Sequence, residues 1–275
     1  MPHSVSSLRR IWLCADDYGL SQGVNAAIRD LLERGRINAT SAMVVTPAFT
    51  RKEAASLAAI KTNSPGIAIG LHVTLTAPFQ SLTKSEAFQP VGAALRTSVM
   101  RRLDPESLAR EVRAQILAFQ DMFGAVPDFV DGHQHVQLFP QIREAVVTAV
   151  SEALPQAWVR QCGRLSPLTA RLTDRKGLLL DLLSSGFRKT ATRRGIGFNP
   201  GFAGSYDFTS KADYAALFPD FLRNIPEHGV IMCHPGFVDD MLKRLDPLTD
   251  LREREHAYFA GDRFPQILAE HGITL

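Results

Sequence analysis

The chain has 275 residues, 45% hydrophobic and 21% charged, with a formal net charge of +3. This is the composition of a folded globular domain, and so even a balance without long Lys/Arg blocks argues against nucleic acid as a partner. Cys14, Cys162 and Cys233 share no CxxC spacing and suit a reducing, cytoplasmic interior better than a disulfide framework.

In chain order, "MPHSVSSLRR" is followed by an apolar run too short for a signal-peptide core. That run, "IWLCA" (11–15), reads as a strand. Ser21 is placed to cap a helix with Val24, Ala27, Ile28, Leu31 and Leu32 at helical spacing, ended by Gly35. "SAMVV" (41–45) and "GIAIGLHVTL" (66–75) read as strands around the Ala-rich helix "RKEAASLAAI". Residues 76–103 show little periodicity. Asp104-Pro105 then opens a helix with Leu108, Val112, Ile116 and Phe119 on one face and Gly124 at its end. "PDFV" is a strand, Pro140 falls in the first turn of the next helix, and "AWVR" (157–160) is a strand.

Residues 161–215 break the rhythm and are expected to form a substrate-facing insertion. They hold the apolar "GLLLDLLSSGF", a basic cluster (Arg188, Lys189, Arg193, Arg194) and the Gly- and aromatic-rich "NPGFAGSYDF". The apolar run is about half the ~20 residues of a membrane span. Beside the basic cluster it could touch lipid, although a core helix with a solvated end is the plainer reading. "GVIMC" (229–233) restores a strand, and helical sequence leads to a last short "ITL". Alternating apolar strands and amphipathic helices imply a parallel sheet covered by helices. About seven strand candidates favour a distorted TIM-like (β/α) barrel, a single domain over 1–275, rather than an open doubly wound sheet.

Polar residues gather where these strands end. Asp16 and Asp17 follow "IWLCA", His72 lies in "GIAIGLHV", Asp131, His133 and His135 follow "PDFV", Arg160 closes "AWV", and His234 follows "GVIMC". Four of eight histidines occupy such positions, and in an α/β barrel the C-terminal strand ends share one face. Each residue alone has a bland explanation: a turn-capping Asp, a satisfied core His, a surface His pair, a His-Pro-Gly turn. Four coincidences in one pattern favour a site. Two histidines and a carboxylate leave an open position on a divalent ion such as zinc, with magnesium or another ion as alternatives. Such an ion activates water, a neighbouring carboxylate can take the proton, and a protonated His can supply a leaving amine. No Gly-rich phosphate loop or GxSxG elbow is present.

"ADDYGLSQGVNAAI", "IGLHVTLT", "DGHQHVQLFPQI" and "MCHPGF" together resemble the YdjC-like carbohydrate deacetylases, which include chitooligosaccharide deacetylases and a hopanoid-associated branch. The resemblance implies a distorted barrel that removes acetyl groups from N-acetylated sugars with one divalent metal ion, zinc foremost. It implies Asp17, His72 and His133 as metal ligands, Asp16 as the base and His234 as the acid. His135, Asp131, Tyr18 and Arg160 are expected to contact substrate or support the ligands. Gln137 stands where the family pattern often has a further histidine. The implied partner is an N-acetylated sugar or glycolipid, with peripheral membrane contact and oligomer formation left open. A metal phosphoesterase or amidohydrolase, with Arg160 facing a phosphate, and a non-catalytic sugar-binding protein are the competing expectations.

Overall fold

The structure, a computed structural model, describes residues 8–164, 175–209 and 211–275. The chain runs through β1 (Arg9–Arg10), β2 (Trp12–Tyr18), α1 (Gln22–Glu33), β3 (Ala39–Ala42), α2 (Arg51–Asn63), β4 (Ala68–Val73), α3 (Val91–Val99) and α4 (Pro105–Phe123). It continues through β5 (Phe129–Gly132), a 3-10 turn (His133–Leu138), α5 (Ile142–Ala153), β6 (Trp158–Val159), α6 (Arg175–Arg193) and β7 (Phe202–Ala203). Then come α7 (Tyr214–Arg223), β8 (Val230–Cys233), α8 (Asp240–Leu245), α9 (Asp250–Ala260), α10 (Arg263–Glu270) and β9 (Ile273–Thr274).

Seven strands form one sheet in the order β6-β5-β4-β3-β2-β8-β7, every neighbouring pair parallel. Single parallel bridges, Val159 to Phe198 and Arg164 to Phe202, join its two edges. The sheet thus curls into the expected distorted barrel, its seam held by bridges instead of a full ladder. Because all strands run the same way, their C-terminal ends share one rim.

The membership of the sheet differs from expectation in one respect. "ITL" contributes β9, which pairs with β1 in a separate two-stranded ribbon. The seventh barrel strand is β7, two residues beside Gly201 and Gly204, too short to show a period in sequence. α3 also lies inside the stretch read as irregular. Part of the expected insertion, residues 165–174 and 210, lies outside the described residues.

Local signals otherwise behave as their chemistry requires. Val24 N–H donates to Ser21 Oγ at 3.2 Å, capping α1. Asp104 caps α4, and Gly124 ends it in the left-handed conformation at φ 66°. Pro140, expected inside the first turn of α5, precedes that helix, which starts at Ile142 after Gln141 at φ 59°.

The core between sheet and helices tolerates little extra volume. A Cβ on Gly70 of β4 would lie 2.4 Å from the Phe129 ring on β5. Gly70→Ala is therefore expected to lower stability by about 1–3 kcal/mol through overpacking. Thermal melting of the purified variant checks this, and an unchanged melting temperature would show that the ring can shift freely.

Candidate metal centre

At the end of β2 a local irregularity overrides the strand's two-residue alternation. Its pairing with β3 shifts register between Ala15 and Tyr18, and Asp17 adopts φ 70°. A non-glycine residue in this region costs on the order of 1–3 kcal/mol and persists only where its surroundings hold it. The bulge brings both carboxylates into one buried polar cluster instead of directing them to opposite faces.

His133 Nδ1 lies 2.9 Å, and His72 Nε2 3.2 Å, from the same oxygen, Asp17 Oδ1. The other His72 nitrogen, Nδ1, is 2.6 Å from Asp131 Oδ1 and 3.0 Å from Ser41 Oγ. This fixes the ring and directs Nε2 at Asp17, the arrangement that orients a metal-binding histidine. His133 is set by the 3-10 turn that follows β5, with Phe79 edge-on to its ring at 5.6 Å.

Asp16 lies beside this triad but is held differently. Arg160, fully buried, donates from Nη1 and Nη2 to the two oxygens of Asp16, each at 2.6 Å. Its Nη1 also lies 3.1 Å from Asp131 Oδ2. Burial alone would raise the Asp16 carboxyl, but the Arg160 charge and its hydrogen bonds outweigh that and hold it at about 2. Asp17 is likewise kept well below the usual carboxylate range: burial opposes this, and Arg252 and His133 overcome it.

Arg252, on α9, was not singled out in the sequence. Its Nη2 donates to Asp17 Oδ2 at 2.6 Å and to Asp246 Oδ2 at 2.7 Å. The connected cluster therefore sets four carboxylates (Asp16, Asp17, Asp131, Asp246) against two guanidiniums (Arg160, Arg252), two negative charges in excess. His72 responds to this surplus. Burial disfavours a charged imidazole, but Asp131, with Asp17 and Asp16, raises it to about 10. Asp17, His72 and His133 have donor atoms within 4.8 Å of one another. Two imidazole nitrogens, one carboxylate oxygen and a net charge deficit fit a divalent cation with an open coordination position.

The remaining expected residues divide. His234 follows β8, the neighbour of β2 in the sheet. Its backbone N–H donates to Glu255 Oε2 at 2.5 Å, its ring meets Phe208 edge-on at 5.5 Å, and its buried Nδ1 has no hydrogen-bond partner among the described residues. Glu255, unnoticed in the sequence, also accepts from Tyr206 OH at 2.7 Å. His135 does not join the triad: it takes a left-handed conformation, and its Nδ1 lies 3.5 Å from Cys162 Sγ. Burial, and the nearby Arg160 charge, depress it to about 3, so it is neutral. Tyr18 points away altogether, its hydroxyl on Glu53 of α2, 2.8 Å from Oε2. The resemblance implies a place for it near substrate or ligands; its hydroxyl is engaged by Glu53 instead.

A family model described as YdjC-like protein matches residues 10–270. The chain belongs to the YdjC-like family. Two relatives named chitooligosaccharide deacetylase cover most of this YdjC-like chain. The one from Escherichia fergusonii is 26% identical over 84% of this chain and 82% of its own length. The one from Yersinia pestis is 29% identical over 83% and 82%. A crystal structure of a candidate cellobiose-phosphate cleavage protein from Enterococcus faecalis V583 superposes with TM-score 0.75 at 20% identity, covering 98% of this chain and 97% of that one. This establishes a shared fold. The family that the four sequence motifs pointed to is thus the one to which the chain belongs.

Proposed function

We propose that this protein is a metal-dependent hydrolase that removes the N-acetyl group from an N-acetylhexosamine unit, in a chito-oligosaccharide or a glycolipid such as an acetylglucosaminyl hopanoid. The observation that carries the reading is the convergence of His72 and His133 on one oxygen of Asp17, with a second carboxylate, Asp16, alongside. The named activity of the Escherichia fergusonii and Yersinia pestis relatives supports it.

Asp17, His72 and His133 would hold the ion, zinc by the donor set. When bound, the ion supplies Lewis-acid polarisation of the acetyl carbonyl and makes a water acidic enough to react near neutral pH. Asp16 takes the proton as the water oxygen bonds to the carbonyl carbon. Its low proton affinity makes it a weak base, so its contribution is an ionised acceptor that Arg160 holds in one orientation. His234 gives a proton to the nitrogen as the C–N bond breaks, leaving acetate and a free amine. Its Nδ1, without a hydrogen-bond partner among the described residues, and the Glu255 carboxylate that holds its backbone N–H fit a group waiting for a substrate partner. The "NPGFAGSYDF" segment contributes Tyr206 and Phe208 beside His234, in keeping with an insertion that faces the substrate.

Arg160 gives the phosphoesterase alternative no support, because both its Nη atoms are engaged by Asp16 and Asp131. The three cysteines are free and buried, in keeping with a cytoplasmic setting.

The test supplies zinc-loaded protein with N-acetylglucosamine oligomers and an acetylglucosaminyl lipid and measures acetate. Acetate from either is expected; none, with phosphate released from a phosphoester panel instead, would overturn the proposal. His72→Ala is expected to abolish zinc binding, and Asp131→Asn to weaken it about 10–100-fold by loosening the His72 ring. Calorimetric zinc titration reads both, and parental affinity in the Asp131 variant would remove its supporting role.

A further inference from the structure

Away from the buried cluster, a groove of about 680 Å³ runs along α6 and reaches the first turn of α5. Arg143, Arg188, Lys189 and Arg193 line it, and none of its lining residues is acidic. The Arg143 guanidinium lies against Gly186, where a Cβ would come within 2.4 Å of Nη1, so glycine allows α5's arginine to close on α6. Among the described residues, one carboxylate approaches these four cations, Glu144, at 3.6 Å from Arg143 Nε. Lys189 and Arg193 are exposed to solvent.

The same helix carries two of the chain's exposed large apolar side chains, Leu179 at 43% and Leu182 at 71%. Positions 179, 182, 186, 189 and 193 are spaced alternately three and four residues apart, which places them in one stripe along a helix. The stripe is apolar toward the end where α6 meets Arg164 and cationic toward its other end. No helix among the described residues is long and apolar enough to cross a membrane.

Exposed leucines in line with lysine and arginine are the composition of a helix that lies on a membrane surface, its apolar residues in the headgroup–acyl boundary and its cations at lipid phosphates. A dissolved phosphate would use the cations and leave the leucines in water. We propose that the Leu179–Arg193 stripe of α6 docks the protein peripherally on anionic phospholipid. This goes beyond the hydrolase reading and does not depend on it.

The experiment sediments the full-length protein with vesicles of phosphatidylcholine alone and with vesicles that include phosphatidylglycerol. Binding is expected to the anionic vesicles and to weaken as salt rises. The double variant K189E/R193E should partition roughly tenfold or more less strongly, and Leu182→Gln should lose the salt-resistant part. All three positions are exposed, so unchanged circular dichroism and an unchanged melting temperature serve as controls. No binding, equal binding to both vesicle types, or undiminished binding by the charge variant would overturn the proposal. So would binding of inorganic phosphate or of polyglutamate to the groove when anionic vesicles fail, which would make it a small-anion or a protein site.

Discussion

Asp16→Asn is expected to lower kcat by about 10²–10⁴-fold while the protein still takes up one zinc ion per chain. Both oxygens of Asp16 accept from Arg160, and Asp16 is not among the three residues, Asp17, His72 and His133, whose donor atoms come together. Asparagine keeps the size and one acceptor oxygen, so the Arg160 contact survives in part and the fold should persist. What it removes is the ionised group able to receive the water's proton. Steady-state kinetics and metal analysis on the same preparation read the two quantities separately. If zinc content falls with activity, the division of labour between the adjacent carboxylates is wrong and Asp16 is itself a ligand.

The second large effect is expected at Arg252. Replacing it with methionine keeps much of the buried side chain but leaves Asp17 Oδ2 and Asp246 Oδ2 without their shared guanidinium. Removing one partner of a buried ion pair costs about 3–5 kcal/mol, a large share of the roughly 5–15 kcal/mol that holds a typical domain together. A bound cation would neutralise the buried charge on Asp17 that Arg252 no longer balances. Zinc should therefore raise the melting temperature of Arg252→Met by more than it raises that of the parent protein, since a ligand stabilises the folded state by an amount that grows with the logarithm of its affinity. Equal increments in both would show that Arg252 does not compete with the ion for Asp17.

How much of this was legible beforehand depended on how locally each feature is encoded. The α1 and α4 boundaries rest on Ser21, Asp104 and Gly124, which act within a few residues of their own positions, and each does what its type predicts. The strand-end residues were legible because parallel topology converts a sequence pattern into one shared rim. Arg252 and Glu255 were not, because "LREREH" offers five ionisable side chains in six residues and nothing local says which are buried. Their partners, Asp17 and the backbone of His234, are distant in sequence. Tyr18, which the family resemblance implies near the site, is held by Glu53 instead, because the backbone turns at Asp17 itself, whose φ is 70°. β7 escaped notice because two residues cannot express a period.

The contact between Arg252 and Asp17 spans 235 positions of sequence and fastens α9 to the first strand of the barrel. A cation arriving at Asp17 would thus act on a helix that supplies none of its ligands. Amide hydrogen exchange in α9 is where that should register: its backbone protons would change their exchange rates on zinc addition, whereas α2, whose Glu53 carboxylate accepts from Tyr18 and Arg29, would keep its own.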